Sequence, residues 1–241
     1  MSLFLPEGSV TAGSAALVWD AVTGVQQYIV YRNGRKYKTT LQRGITLRDL
    51  VHERAYLFEV TALCSGRETP CGNVTICSKE APREFDAVIY GAQPDGVTDA
   101  TAGVQKAIDA CTPGGLVYLA AGRYLCGSLQ LKSNMQLYLA RGAVLCPQPG
   151  ATLNTPPERP MHDIVLHGSG QVGMALDLRR VRRLCLRDLH FTAPATLTAC
   201  RDLTLDGALF GDALALEGCS RALALGCQFA GAPPEGLAVV M

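Results

Sequence analysis

Charge is scarce in this chain: only 18% of its 241 residues are Asp, Glu, Lys or Arg, and the formal net charge is +1. No global basic excess is present to draw it to a phosphate backbone, so nucleic acid is not expected as a partner. Long apolar runs are missing too. None approaches the roughly 20 residues of a membrane-spanning helix, and no membrane partner is expected. The opening Met1-Ser-Leu-Phe-Leu-Pro-Glu7 lacks the basic stretch and apolar core of a secretory leader, which predicts a cytoplasmic location. Ten cysteines are present, yet no Cys-x-x-Cys pair or metal-like cluster is found, so no metal or other cofactor is expected. Cys126, Cys146, Cys185, Cys200, Cys219 and Cys227 sit among apolar residues, where a free thiol behaves as a small hydrophobe. Cys64, Cys71 and Cys77 lie close together and are the exception to watch.

What the chain does have is 48% hydrophobic residues, enough for a substantial core in one large or two modest domains, and an internal echo. Val117-x-Leu119, Leu137-x-Leu139, Ile164-x-Leu166, Leu184-x-Leu186, Leu203-x-Leu205 and Leu223-x-Leu225 follow one another at intervals of 20, 27, 20, 19 and 20 residues. A period near twenty with one short alternating strand per unit marks a stacked solenoid, because no unit buries its apolar face alone. No helix-length apolar pattern lies between the strands, and a leucine-rich horseshoe consensus is absent. The expected fold class is all-β, with a right-handed parallel β-helix as its larger part.

Residues 8–78 read as a small β-sandwich. Ala15–Trp19 is a strand, followed by a turn at Val22–Gly24. Tyr28–Arg32 and Arg35–Thr39 flank Asn33-Gly34, the strongest short hairpin signal. Ala55–Ala62 alternates, with Tyr56, Phe58 and Val60 on one face. The strand-borne Trp19, Tyr28 on the next strand, and Leu50 ahead of Tyr56 in the manner of a tyrosine corner resemble a fibronectin type III domain. Such modules are spacers or docking platforms, and no chemistry is assigned to it.

After a linker at Ser78–Arg83, the second domain, residues 83–241, opens with Phe85–Thr101. Val104, Ala107, Ile108 and Cys111 then fall on one helical face, with Asp99 or Thr101 as the cap and Pro113-Gly-Gly115 as the stop. One helix ahead of the rungs is suited to plug the open end of a solenoid. The run Gly91-Ala-Gln-Pro-Asp95-Gly96-Val-Thr-Asp99-Ala-Thr101, the helix with Gln105-Lys-Ala-Ile108, Gly122-Arg-Tyr124 and Leu131-Lys-Ser133 together resemble the N-terminal portion of the family 28 glycoside hydrolases, the polygalacturonases. Ala120 stands where that family has Pro.

The resemblance implies hydrolysis of α-1,4-galacturonide bonds in pectic polymers, with inversion at the sugar, and an oligogalacturonide or pectic polysaccharide as partner. Inversion takes one carboxylic acid on the leaving oxygen and one carboxylate opposite, far enough apart to admit a water. The family carries these groups as Asn-Thr-Asp and Asp-Asp on neighbouring rungs, then a Gly-His-Gly and an Arg-x-Lys. Laid on this chain, Asp212 takes the first carboxylate and Glu235 falls at the second, but Phe210 and Gly211 replace Asn-Thr and Pro234 replaces one Asp. Gly-His-Gly and Arg-x-Lys are not found. His167 in His167-Gly-Ser-Gly170 is read as a structural turn residue, His162 and His190 as ordinary surface or strand residues. Arg179, Arg180, Arg182 and Arg183 form a basic cluster that either meets a polyanionic saccharide or decorates a solvated turn.

Three readings follow. The first is a polygalacturonase-type hydrolase seen in part, inactive as the bare chain. The second is a non-catalytic polysaccharide-binding or structural pseudoenzyme. The third, a Ca²⁺-dependent pectate lyase, finds no clustered aspartates to support it. A next rung is expected near residue 243, so Leu237–Met241 is predicted to stop within a rung, leaving an open edge prone to self-association or awaiting a missing segment.

Overall fold

A computed structural model describes residues 2–240. Two compact units are formed, one running up to Ala81 and one over Pro82–Ala238. The first is built from two antiparallel sheets. Leu3–Phe4, Ala15–Trp19 and Gly44–Leu47 make a three-stranded sheet, with Ala15–Trp19 in the middle. Arg35–Thr40, Gln27–Arg32, Ala55–Cys64 and Arg67–Cys77 make a four-stranded one, in that spatial order. Pairing of Leu3 with Trp19 starts the sandwich ahead of residue 8, where two residues are too few to show a period. Asn33 and Gly34 both adopt positive φ (51° and 73°), the geometry a two-residue hairpin turn needs to match strand twist.

Alternation decides what enters the sandwich core. Tyr56, Phe58, Val60 and Ala62 are buried, and they close with Leu17, Trp19, Tyr28, Val30 and Leu47 around one centre. Trp19 meets Tyr28 edge-on at 5.4 Å, the arrangement the ring quadrupoles favour. The Tyr56 hydroxyl accepts a hydrogen bond from the Val51 N–H at 2.8 Å, pinning the chain at the corner that Leu50 opens.

The second unit is a parallel β-solenoid with three faces. One sheet holds eight strands, in the order Glu84–Asp86, Leu116–Leu119, Met135–Leu139, Met161–Gly168, Val181–Arg187, Arg201–Asp206, Ser220–Leu225 and Leu237–Val240. A second holds seven, from Asp95–Asp99 to Gln228–Phe229, and a third holds five, from Leu129–Gln130 to Leu214–Glu217. The helix Thr101–Ala110 packs on Glu84–Asp86, Gly122–Cys126 and Leu129–Gln130, which lie at the start of the solenoid. It buries Val104, Ala107 and Ile108. Its N-cap is Ala100, which makes no side-chain cap bond; Asp99, one residue earlier, instead accepts from the Thr101 N–H at 2.9 Å.

Register corrects the echo in two places. Leu137 stacks on Leu166 rather than Ile164, an even shift that keeps the inward face inward. Gly168 then stands over Leu139, where an added Cβ would lie 2.0 Å from the Leu139 carbonyl oxygen, so only glycine fits. In the seventh strand of this sheet, Ala222 and Ala224 take the inward positions opposite Leu203 and Leu205. Leu223 and Leu225 point the other way, because the offset from Leu203 to its partner is one residue short of the spacing that the Leu-x-Leu pattern suggested. The eighth strand begins at Leu237, also earlier than the expected residue 243.

Two further columns brace the stack. Phe191, Phe210 and Phe229 lie face to face, with ring centroids 5.1 and 5.5 Å apart. At one corner, Asn134, Asp163, Arg183, Asp202 and Arg221 occupy equivalent places on successive strands, all with φ between 53° and 60°. From Asp163 onward their charges alternate, so neighbours attract: Arg183 bonds Asp163, and Arg221 Nε lies 2.5 Å from Asp202 Oδ1. All ten cysteines are free thiols, Cys64, Cys71 and Cys77 included. Burial pushes the thiols of Cys126 and Cys200 up to about 12 and that of Cys185 up to about 11, which keeps them protonated and inert.

Candidate functional site

The outer side of the five-stranded sheet is a polar face of the solenoid. Its strands are Leu129–Gln130, Thr152–Asn154, Ala175–Arg179, Ala195–Thr198 and Leu214–Glu217. Leu176, Leu178 and Leu197 are buried, so the alternate positions face outward. Gln130, Asn154, Asp177, Thr196 and Ala215 form one outward column, and Arg179, Thr198 and Glu217 form another. Within these columns Arg179 holds Asp177 through two bonds of 2.9 and 3.0 Å, and the Thr198 hydroxyl donates to Glu217 at 3.1 Å. The sequence echo gave no sign of this face, since its strands are short and only half apolar.

Asp212 sits in the turn that leads into the fifth of these strands. A cleft of about 380 Å³ opens there, lined by Gly211, Asp212, Ala213, Leu214 and the facing turn Phe229–Ala232. The turns are held by backbone bonds from Gly211 N–H to Phe191 and from Ala230 N–H to Phe210, each 2.8 Å. Asp212 is exposed, and its Oδ1 accepts from the Ala213 N–H at 2.7 Å. Phe210, which stands where the polygalacturonase pattern has Asn, is buried in the phenylalanine stack and belongs to the core. Glu235 is exposed and lies three residues past the cleft wall at Ala232, outside its lining.

The arginine cluster divides. Arg179 is held by Asp177, Arg183 by Asp163, and Arg182 Nε lies 3.6 Å from Asp202 Oδ2. Bonding from Arg183 in first place pulls the Asp163 carboxyl down to about 2. Only Arg180 lies in the turn, since Arg179 ends the strand Ala175–Arg179 and Arg182 and Arg183 belong to Val181–Arg187; with those three facing carboxylates, the cluster is no free cationic patch.

His167 is not in a turn. It lies in the strand Met161–Gly168, outward in register with Tyr138 and Arg187, and its ring meets Tyr138 edge-on at 5.1 Å. His162 is exposed with Nδ1 2.9 Å from Asp163, and His190 opens the short strand His190–Phe191. The His167 Nε2 is buried without a hydrogen-bond partner, and burial, followed by the charge of Arg187, pushes its pKa down to about 4. Since an unfolded histidine titrates near ~6.5, the unfolded state binds the extra proton first. Stability is then full above about pH 6.5 and falls as the pH drops toward 4, by at most about 1.4 kcal/mol per pH unit. Urea unfolding at pH 7 and pH 5 should show this fall in the parent and a smaller one in His167→Gln. An unchanged fall would place its origin elsewhere.

A family model described as rhamnogalacturonase A/epimerase, pectate lyase-like, matches residues 85–139. An exo-poly-α-D-galacturonosidase of Dickeya chrysanthemi is 43% identical over 72 residues, which is 30% of this chain and 12% of that protein. Among solved structures, the family 28 exopolygalacturonase of Yersinia enterocolitica superposes with a TM-score of 0.83 at 17% identity, over 94% of this chain and 63% of that one. The chain thus spans only part of the length of each.

Proposed function

We propose that this chain, whose solenoid has the fold of the family 28 polygalacturonases, is a glycoside hydrolase acting on α-1,4-galacturonides of pectic polymers with inversion at the sugar. The observation that carries this reading is the place of Asp212. It lines a cleft at the head of a strand on the polar face, where an extended sugar chain finds hydrogen-bonding side chains rung after rung. Asp212 and Glu235 share the acid and base roles. One protonates the leaving glycosidic oxygen and the other draws a proton from the attacking water. Inverting sites hold these carboxyl groups roughly 6.5–9.5 Å apart to leave room for that water. The similarity to a galacturonosidase supports a pectic substrate.

A second reading, a non-catalytic polysaccharide-binding solenoid, is favoured by one observation: Glu235 stands outside the lining of the Asp212 cleft. Mass spectrometry of tri-galacturonate incubated with the full chain separates the two. Products that together gain one water mean hydrolysis, and an unsaturated sugar means elimination. Unchanged trisaccharide beside an active control sinks the hydrolase and leaves the binding protein.

A further inference from the structure

The N-terminal sandwich carries a second cleft, of about 570 Å³, within the ~300–1,000 Å³ typical of small-molecule sites. Its walls hold Arg32, Arg35, Lys36 and Arg54 against a single carboxylate, Asp49, together with the rings of Tyr37 and Tyr56. No carboxylate among the described residues lies within ion-pair distance of those four cations. In a chain with a net charge of +1 this is a local concentration of unneutralised positive charge.

Its construction argues against a merely solvated surface. Arg32 and Arg35 are directly opposite across the hairpin, where like charges destabilise the pair. The turn between them is fixed on the neighbouring strand, because Asn33 both donates to the Leu57 carbonyl and accepts from the Leu57 N–H, each at 2.8 Å. The Arg32 guanidinium lies 4.9 Å from the centre of the Tyr37 ring and 5.8 Å from that of Tyr56. Cation–π attraction within about 6 Å holds it there with its N–H donors still to be used. Both rings are themselves anchored, Tyr37 by the Arg48 N–H at 3.1 Å and Tyr56 by the Val51 N–H at 2.8 Å. A guanidinium oriented in this way is prepared for the two oxygens of a carboxylate.

We propose that this cleft binds an acidic oligosaccharide, a short run of uronate sugars. Arg32 takes one carboxylate, Arg35, Lys36 and Arg54 pair with its neighbours, and Asn33 meets the hydroxyls. The choice of uronate rests on the substrate reading proposed above. The sandwich would then hold the polymer independently of the solenoid cleft.

Calorimetric titration of tri-galacturonate into the full chain tests this, with Asp212→Asn as the background so that no turnover contributes. A binding event that weakens at least tenfold in Arg32→Gln/Arg54→Gln, weakens with added salt, and is missing for neutral maltotriose is the expected result. Arg35→Gln, whose side chain is exposed and outside the core, should weaken it alone and guards against a folding defect in the double variant. Equal affinity in parent and variants overturns the proposal. Sulfate competing as well as the trisaccharide at equal concentration overturns it too, by showing a generic anion site. Binding needs no turnover, so a chain that fails to hydrolyse pectic sugars still gives a readable answer here.

Discussion

Asp212→Asn is expected to lower hydrolysis of tri-galacturonate by about 10²–10⁴-fold, the range for loss of a positioned acid or base. The replacement is close to isosteric, and its side-chain oxygen can still accept the Ala213 N–H, so the turn should survive. Thermal unfolding should therefore be unchanged. Loss of a group that acts only in the transition state lowers kcat and leaves KM near its parent value. Glu235→Gln tests the other half of the couple. If the two carboxyl groups act as a unit, the double variant should be little slower than either single one; if their effects multiply, they act separately. More than a tenth of the parent rate in Asp212→Asn would remove that residue from the chemistry, and the two outward columns that carry Asp177 and Glu217 would become the next place to look.

The sequence and the structure agree where a physical period is strong. Leu-x-Leu pairs near twenty residues apart placed most of the eight-stranded sheet, and Asn33-Gly34 placed its hairpin, because inward packing and positive φ each leave a residue signature. The five-stranded face left little trace, since strands such as Leu129–Gln130 and Thr152–Asn154 are too short for alternation to register. Leu223 and Leu225 misled for a related reason. Ala222 and Ala224 satisfy the inward positions as well as leucine does for patterning, and only pairing with Leu203 and Leu205 reveals the phase. Resemblance makes Asp212 legible as a candidate, and that residue lines a cleft, while the cleft at Arg32 joins residues from separate strands and loops that no linear motif connects.

Asp206→Ala should cost about 3–5 kcal/mol of stability, the usual penalty for breaking a buried ion pair from one side. Asp206 is 0% exposed and Arg187 2%, and Arg187 Nε donates to Asp206 Oδ2 at 2.7 Å. They face one another on adjacent strands, in the column that runs His167, Arg187, Asp206, Leu225. Truncating the aspartate strips a desolvated guanidinium of this carboxylate. Domains of this kind have only about 5–15 kcal/mol in total, so the urea midpoint should move far enough to read without ambiguity. The paired replacement Arg187→Met with Asp206→Leu removes both charges and should return most of the loss, because desolvation of the pair consumed much of its attraction in the first place. A double variant as unstable as Asp206→Ala would mean that the pair holds the strands by geometry rather than by mutual neutralisation. A single variant costing less than about 1 kcal/mol would mean the pair behaves as a solvated surface bridge despite its burial. Asp212 lies on the same turn of the solenoid, six residues on, so turnover measured on Asp206→Ala well below its unfolding midpoint adds a further test. A rate near that of the parent would show that the cleft is held by its own backbone bonds to Phe191 and Phe210, and that the buried pair serves the fold alone.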